Sequence, residues 1–136
     1  MRKSLVLALI LALSLIGSIS VVHVRAAPAV LNVGPGQPFP LISAALTVAM
    51  PGDSIHVWNN PGIPYIENPS VGVPNVQIIG QSVAGVTIQA AAPGPCFAIL
   101  APSVTIVNLQ IVCPVVTGGT FGVYIFPSSM QCKILN

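Results

Sequence analysis

The chain has 136 residues, of which 54% are hydrophobic and 4% charged, with four Lys and Arg residues against two Asp and Glu. That length predicts one domain, and the lack of any row of basic residues excludes nucleic-acid binding, which needs Lys and Arg to displace phosphate counterions. A multi-span membrane protein is excluded as well. After Val24 the apolar residues come in short runs broken by Pro, Gly and Asn, so no second spanning segment exists.

Residues 1–26 read as a secretory signal. Met1 to Lys3 is a short basic start, Leu5 to Ile16 is an almost unbroken apolar run, and Gly17, Ser18 and Ser20 loosen the segment before Ala26. Cleavage after Ala26 is expected, with Val24 two residues ahead of the cut; a cut after Ser20 is the alternative. An uncleaved anchor over Leu5 to Val24 is the other outcome, because about 20 apolar residues span a bilayer. In each case the remainder is expected outside the cytoplasm, secreted or held at the membrane with Arg2 and Lys3 inside. Removing the signal takes Arg2, Lys3 and Arg25 away and leaves Lys133 against Asp53 and Glu67, a slightly acidic chain.

Residues 27–39 form a lead-in whose "NVGPGQPFP" offers extended and turn geometry. Next, Ile42, Ala45, Leu46 and Ala49 follow the spacing i, i+3, i+4, i+7, which predicts a helix of about three turns over Leu41 to Met50. Pro40 suits its start and Pro51-Gly52 its end. Beyond Gly52 the period becomes two. "SIHV" alternates Ile55 and Val57 with Ser54 and His56, "NVQI" alternates Val76 and Ile78 with Asn75 and Gln77, and "GVTIQ" sets Val86 and Ile88 opposite Thr87 and Gln89. In "SVTIVNLQI" the phase slips once near Val107, as a bulge or corner allows.

These short strands recur. Ile55, Val76 and Val104 are spaced by 21 and 28 residues, Val86 and Leu109 by 23, and Phe97 and Val123 by 26. Such spacing predicts a solenoid over residues 40–136. Two-residue hairpin loops of the Asn-Gly or Asp-Gly type are absent, and "GQSVAG", "AAPGP" and "CPVVTGGT", with its Gly118 to Thr120 corner, suit wide turns between strands on different faces of a coil. The helix is expected to cap the first coil. "FGVYIF" starts a further coil with Val123 and Ile125 inward, so the chain is expected to be the front of a longer β-helix, or else to self-associate through its open last coil.

"LISAALTVAMPGDSIHV", "YIENPSV", "PNVQIIG" and "GVTI", in that order, resemble the first coils of right-handed parallel β-helices of the pectin lyase-like superfamily. The likeness covers roughly residues 32–111. It implies an all-β fold, a right-handed parallel β-helix with a short N-terminal capping helix. It also implies structural roles for both carboxylates: Asp53 fixing the path from helix to first strand, and Glu67 holding the early coil. For activity the resemblance is broad, spanning pectate lyases, polygalacturonases, pectin methylesterases, tailspikes and adhesins.

The residues themselves offer little catalytic chemistry. Glycoside hydrolysis needs a carboxylate pair across a substrate, and an esterase of this superfamily needs two Asp plus Arg; one Asp, one Glu and no Arg follow residue 26. Calcium wants several carboxylate oxygens, and His56 has no second His or Cys nearby in sequence to make a metal site. No catalytic residue, metal site or cofactor is therefore expected in this chain. His56, Gln77 and Thr105 are expected in one polar, uncharged outer row, beside Thr87, Gln89, Asn108 and Gln110. Trp58 and Tyr65 flank "NNPGIP", where aromatic rings next to Asn suit a polysaccharide or cell-surface glycan but also suit packing. Cys96 and Cys113 are 17 residues apart on neighbouring coils, a spacing that permits a disulfide without demanding one, and Cys132 is left over. The expected function is a secreted or cell-surface β-helix with a structural or carbohydrate-binding role. The alternative is the N-terminal part of a polysaccharide-active enzyme whose site lies beyond residue 136.

Overall fold

A computed structural model describes residues 27–113 and 121–136. The expected signal segment and the Gly118 to Thr120 corner lie outside the described residues. The chain is an all-β parallel solenoid of about four turns. In order it forms β1 (Val30–Val33), α1 (Ile42–Leu46), β2 (Ser54–Val57), β3 (Tyr65–Ile66), β4 (Ser70–Val71), β5 (Gln77–Gly80), β6 (Thr87–Gln89), β7 (Pro95–Ile99), β8 (Thr105–Val107), β9 (Gln110–Val112), β10 (Phe121–Ile125) and β11 (Lys133–Leu135). The strands make three parallel sheets: β1-β2-β5-β8-β11, β3-β6-β9 and β4-β7-β10. The lead-in thus contains the first strand of the longest sheet.

One geometric device recurs at the start of each coil. Gly52, Asn75, Ser103 and Gln131 all take positive φ, at 99°, 59°, 58° and 62°. A left-handed residue turns the backbone sharply, and Gly or a short polar side chain tolerates it best. The residue after each turn, namely Asp53, Val76, Val104 or Cys132, then leads into a strand of the first sheet. Parallel hydrogen bonds follow at once: Gln77 N–H donates to Asp53 O, Thr105 N–H to Val76 O and Lys133 N–H to Val104 O, at 2.9–3.1 Å.

Stacking these strands aligns Leu31, Ile55, Ile78, Ile106 and Ile134 in one column, buried from Ile55 to Ile106 and exposed at Ile134. The spacing expected from sequence paired Ile55 with Val76 and Val104 instead, two residues out of register. Val76 and Val104 are fully buried too, but at the corners before the strands. Other alignments match: Val123 stacks on Phe97, and β6 to β9 keeps the 23-residue offset. The phase slip expected near Val107 is a corner at Asn108, whose φ is 55°.

The core runs the length of the coil, with Phe97, Ile42, Ile55, Ile78, Ile88, Ile99 and Ile106 as its largest buried side chains. Gly80 admits the next coil: a Cβ there would lie 2.0 Å from Asn108 O. The helix is shorter than expected, five residues in place of ten. Thr47 and Val48 N–H groups bond to carbonyls three residues back, tightening its end. Met50 N–H, which would continue the helical ladder, donates instead to Asp53 Oδ2 at 2.8 Å. Ile42 and Ala45 are buried, and the helix lies against β1 and β2. Among the described residues no helix is long and apolar enough to cross a membrane.

Candidate functional site

Two carboxylates are buried, and both are occupied by backbone groups. Asp53 sits just after the left-handed Gly52, so its side chain reaches back across the start of the coil. Its Oδ1 accepts from Ala29 N–H and its Oδ2 from Met50 N–H, each at 2.8 Å. Bonds from these two amides favour the ionised form and hold the carboxyl below the usual Asp range, outweighing the opposing effect of burial. The sign is fixed by this depression. Stability is contributed above the ordinary Asp value of 3.8 and is lost as pH falls through the lower folded value. Asp53→Asn is expected to be less stable than the parent near neutrality and to lose less on acidification. Urea unfolding midpoints measured for both proteins from pH 6 down to about pH 2 check this; parallel curves would contradict it.

Glu67, on the corner between β3 and β4, spans 25 residues of sequence to reach the helix start. Its Oε1 accepts from Ile42 N–H at 2.9 Å, and its Oε2 from Ser43 N–H at 2.8 Å and from Ser43 Oγ–H. Leu41, at the N-cap position, offers no capping side chain, so Glu67 takes that role from the next coil. Asn68 acts similarly on the following corner. Its Oδ1 accepts from Ala91 and Ala92 N–H, and its Nδ2 donates to Pro95 O at 2.8 Å. Nothing in the local sequence singled out Asn68, because its partners come one coil later.

The outer face of the first sheet gathers most of the residues expected to face a ligand. Its parallel register puts Asn32, His56, Ile79, Val107 and Leu135 in one row, and Ser54, Gln77, Thr105 and Lys133 in the neighbouring one. His56, Gln77 and Thr105 therefore share a face but not a row. The two-residue register difference moves His56 beside Ile79. Trp58 follows β2 and stays 42% exposed. Its Nε1–H donates to Asn32 Oδ1 at 3.2 Å, and its backbone N–H donates to Val33 O at 2.9 Å. Tyr65 is corrected: only 4% exposed, it turns into the core and donates its hydroxyl to Trp58 O at 2.7 Å. Gly34 makes this packing feasible, since a Cβ there would meet the Tyr65 hydroxyl at 2.8 Å and Trp58 Cβ at 3.0 Å.

Beside Trp58 lies a concavity of about 230 Å³ lined by His56, Val57, Trp58, Ile79, Gly80 and Gln81. Gln81 Oε1 accepts from Asn59 N–H at 2.9 Å, which fixes the direction of its amide. On the second sheet Thr87 Oγ–H donates to Gln110 Oε1 at 3.3 Å, so these outer polar residues partly satisfy one another. The third sheet carries an exposed aromatic pair that the sequence reasoning did not single out. Tyr124 and Phe126 meet edge to face at 4.9 Å. The alternation that pointed Val123 and Ile125 inward also sends Tyr124 outward, which was the available signal. Ile125 stacks on Ile99 but is itself 43% exposed.

Among the described residues no three His, Cys, Asp or Glu side chains come together as a metal site. The exposed Trp58 and the side chains of His56 and Gln81 border one concavity on the first-sheet face. No protein-family model, curated protein or solved structure matches this chain.

Proposed function

We propose that this protein is a secreted or cell-surface, right-handed β-helix of the pectin lyase-like kind, with α1 capping its first coil, and that the outer face around Trp58 binds a neutral polysaccharide or cell-surface glycan. Right-handedness follows the strong preference of parallel crossovers for that hand. The secretory layout of residues 1–26 supports the location, and the buried Ile42 and Ala45 support the cap.

Trp58 carries the reading. Its ring meets solvent while its indole N–H, backbone N–H and backbone carbonyl are all held by neighbours. An exposed aromatic face whose polar atoms are already fixed loses little freedom when a sugar ring stacks on it. The adjoining hollow is smaller than a drug-sized pocket, which suits one sugar ring at a surface. His56 and Gln81 line it with hydrogen-bonding groups suited to sugar hydroxyls, and Gln77 adds one in the neighbouring row of the same face. Low charge favours a neutral polymer over a polyanionic one.

Affinity electrophoresis through gels containing neutral plant, fungal and bacterial polysaccharides tests this. At least one polymer is expected to retard the protein. Trp58→Ala is expected to weaken that retardation about tenfold, the loss of roughly one stacking contact, while Tyr124→Ala on the third sheet leaves it unchanged. Retardation by no polymer, or equal losses in both variants, would overturn the assignment.

A further inference from the structure

The cysteines occupy unlike positions. Cys96 is fully buried on β7, and Cys113 is partly buried directly after β9. The strand register explains why they meet. Phe121 and Val123 pair with Pro95 and Phe97, so Gly122 lies over Cys96 in the next coil. Gly122 places no side chain there, and a Cβ built on it would lie 3.8 Å from Cys113 Sγ. The Cys113 side chain thus comes over the position above Cys96, which brings the two cysteines together across neighbouring coils. Cys132 lies elsewhere, at the start of β11, with its thiol directed to Ala101 O and Ser129 O.

We propose that Cys96 and Cys113 are the site of a disulfide that staples the second sheet of one coil to the third sheet of the coil before it, and that Cys132 stays a free thiol. The oxidant is a small-molecule disulfide such as oxidised glutathione. Cys113, the more accessible thiol, loses its proton, and its thiolate attacks one glutathione sulfur, breaking the glutathione S–S bond and releasing one glutathione thiolate. Cys96 sulfur then attacks Cys113 Sγ and expels the second glutathione, and the protons of Cys113 and Cys96 end on the two glutathione sulfurs. Two protein thiols are oxidised to one disulfide, and one glutathione disulfide is reduced to two thiols.

The order of attack follows from the surroundings. Burial, then the neighbouring Cys113 and Glu67, push the Cys96 thiol up to about 12, so Cys113 attacks first and Cys96 reacts only once the mixed disulfide makes its step intramolecular. The bridge closes a loop of strands that are already packed. It should therefore restrict the unfolded chain without a large rearrangement of the folded one.

The test uses the secreted protein, equilibrated in a glutathione redox buffer, alkylated under denaturing conditions, then cut with pepsin and mapped by mass spectrometry without reduction. A peptide pair joining Cys96 to Cys113, with Cys132 alkylated, is expected. The oxidised protein should melt on the order of 10 °C higher than the reduced one. Cys132→Ser should keep that difference, and Cys113→Ser should abolish it. A bridge that includes Cys132, or three cysteines that all alkylate after equilibration with oxidised glutathione, would overturn the proposal. Alkylation of the reduced native protein gives a second readout independent of folding in any variant: Cys96 is expected to react last, and reaction at Cys96 before Cys113 would contradict the assigned order.

Discussion

Ile78→Ala is expected to lower the free energy of unfolding by on the order of 2–5 kcal/mol, the range for removing a large aliphatic side chain from a close-packed interior. Ile78 is fully buried and lies between Ile55 and Ile106 in the buried part of the first-sheet column. A solenoid makes such a loss especially damaging, because each coil depends on the packing of its two neighbours. Truncation at Ile78 removes contacts to the coil on either side at once. His56→Ala is the comparison, one strand away on the exposed face. It is expected to change stability by about 0.5 kcal/mol or less. Urea unfolding followed by far-UV circular dichroism measures both. Similar small losses would contradict the placement of Ile78 in the core.

Glu67→Ala is expected to cost about 2–4 kcal/mol, from the loss of charge-assisted hydrogen bonds and the stranding of helix-start amides near the core. The carboxylate accepts three hydrogen bonds from Ile42 and Ser43. Those amides belong to the group that no helix satisfies internally. With Leu41 contributing no side-chain cap, they have no replacement within the helix. Glu67→Gln should recover only part of the loss, since its NH₂ end would face an N–H donor. Hydrogen exchange gives the local signature: Ile42 and Ser43 amides should lose protection in Glu67→Ala before the strands of the third sheet do. Unchanged protection at both amides would show that Glu67 does not hold the helix.

The sequence and the structure diverge for physical reasons that single residues illustrate. Alternation within strands was legible because an outward Ser54 or Gln77 and an inward Ile55 or Ile78 differ sharply in burial cost. Register was not. Shifting one strand by two residues keeps the same side chains inward, so Val76 and Ile78 fit the hydrophobic pattern equally well. The deciding feature is the left-handed corner, and Gly52, Asn75, Ser103 and Gln131 supply it with four different residue types. The helix length was misjudged because its end is set by Asp53, which captures Met50 N–H, and not by the apolar stripe that continues to Ala49. In the candidate site, the outward His56 was legible from strand alternation, whereas Trp58 fitted packing as well as a glycan-facing role and its exposure was not legible. Tyr65 was not, because its inward turn depends on the space left by Gly34 in the preceding coil. Contacts that cross coils, as those of Glu67 and Asn68 do, have partners more than 20 residues away and leave no local pattern.

The parallel register of the first sheet supports both the core and the proposed binding face. Its most direct test is the inter-strand nuclear Overhauser map of β2, β5 and β8 in solution. The expected connectivities join Ser54 to Gln77, Ile55 to Ile78 and His56 to Ile79 between β2 and β5, and Gln77 to Thr105, Ile78 to Ile106 and Ile79 to Val107 between β5 and β8, all in the parallel pattern. Connectivities that instead set His56 opposite Gln77 would contradict this register, and antiparallel ones would contradict the stacked coils.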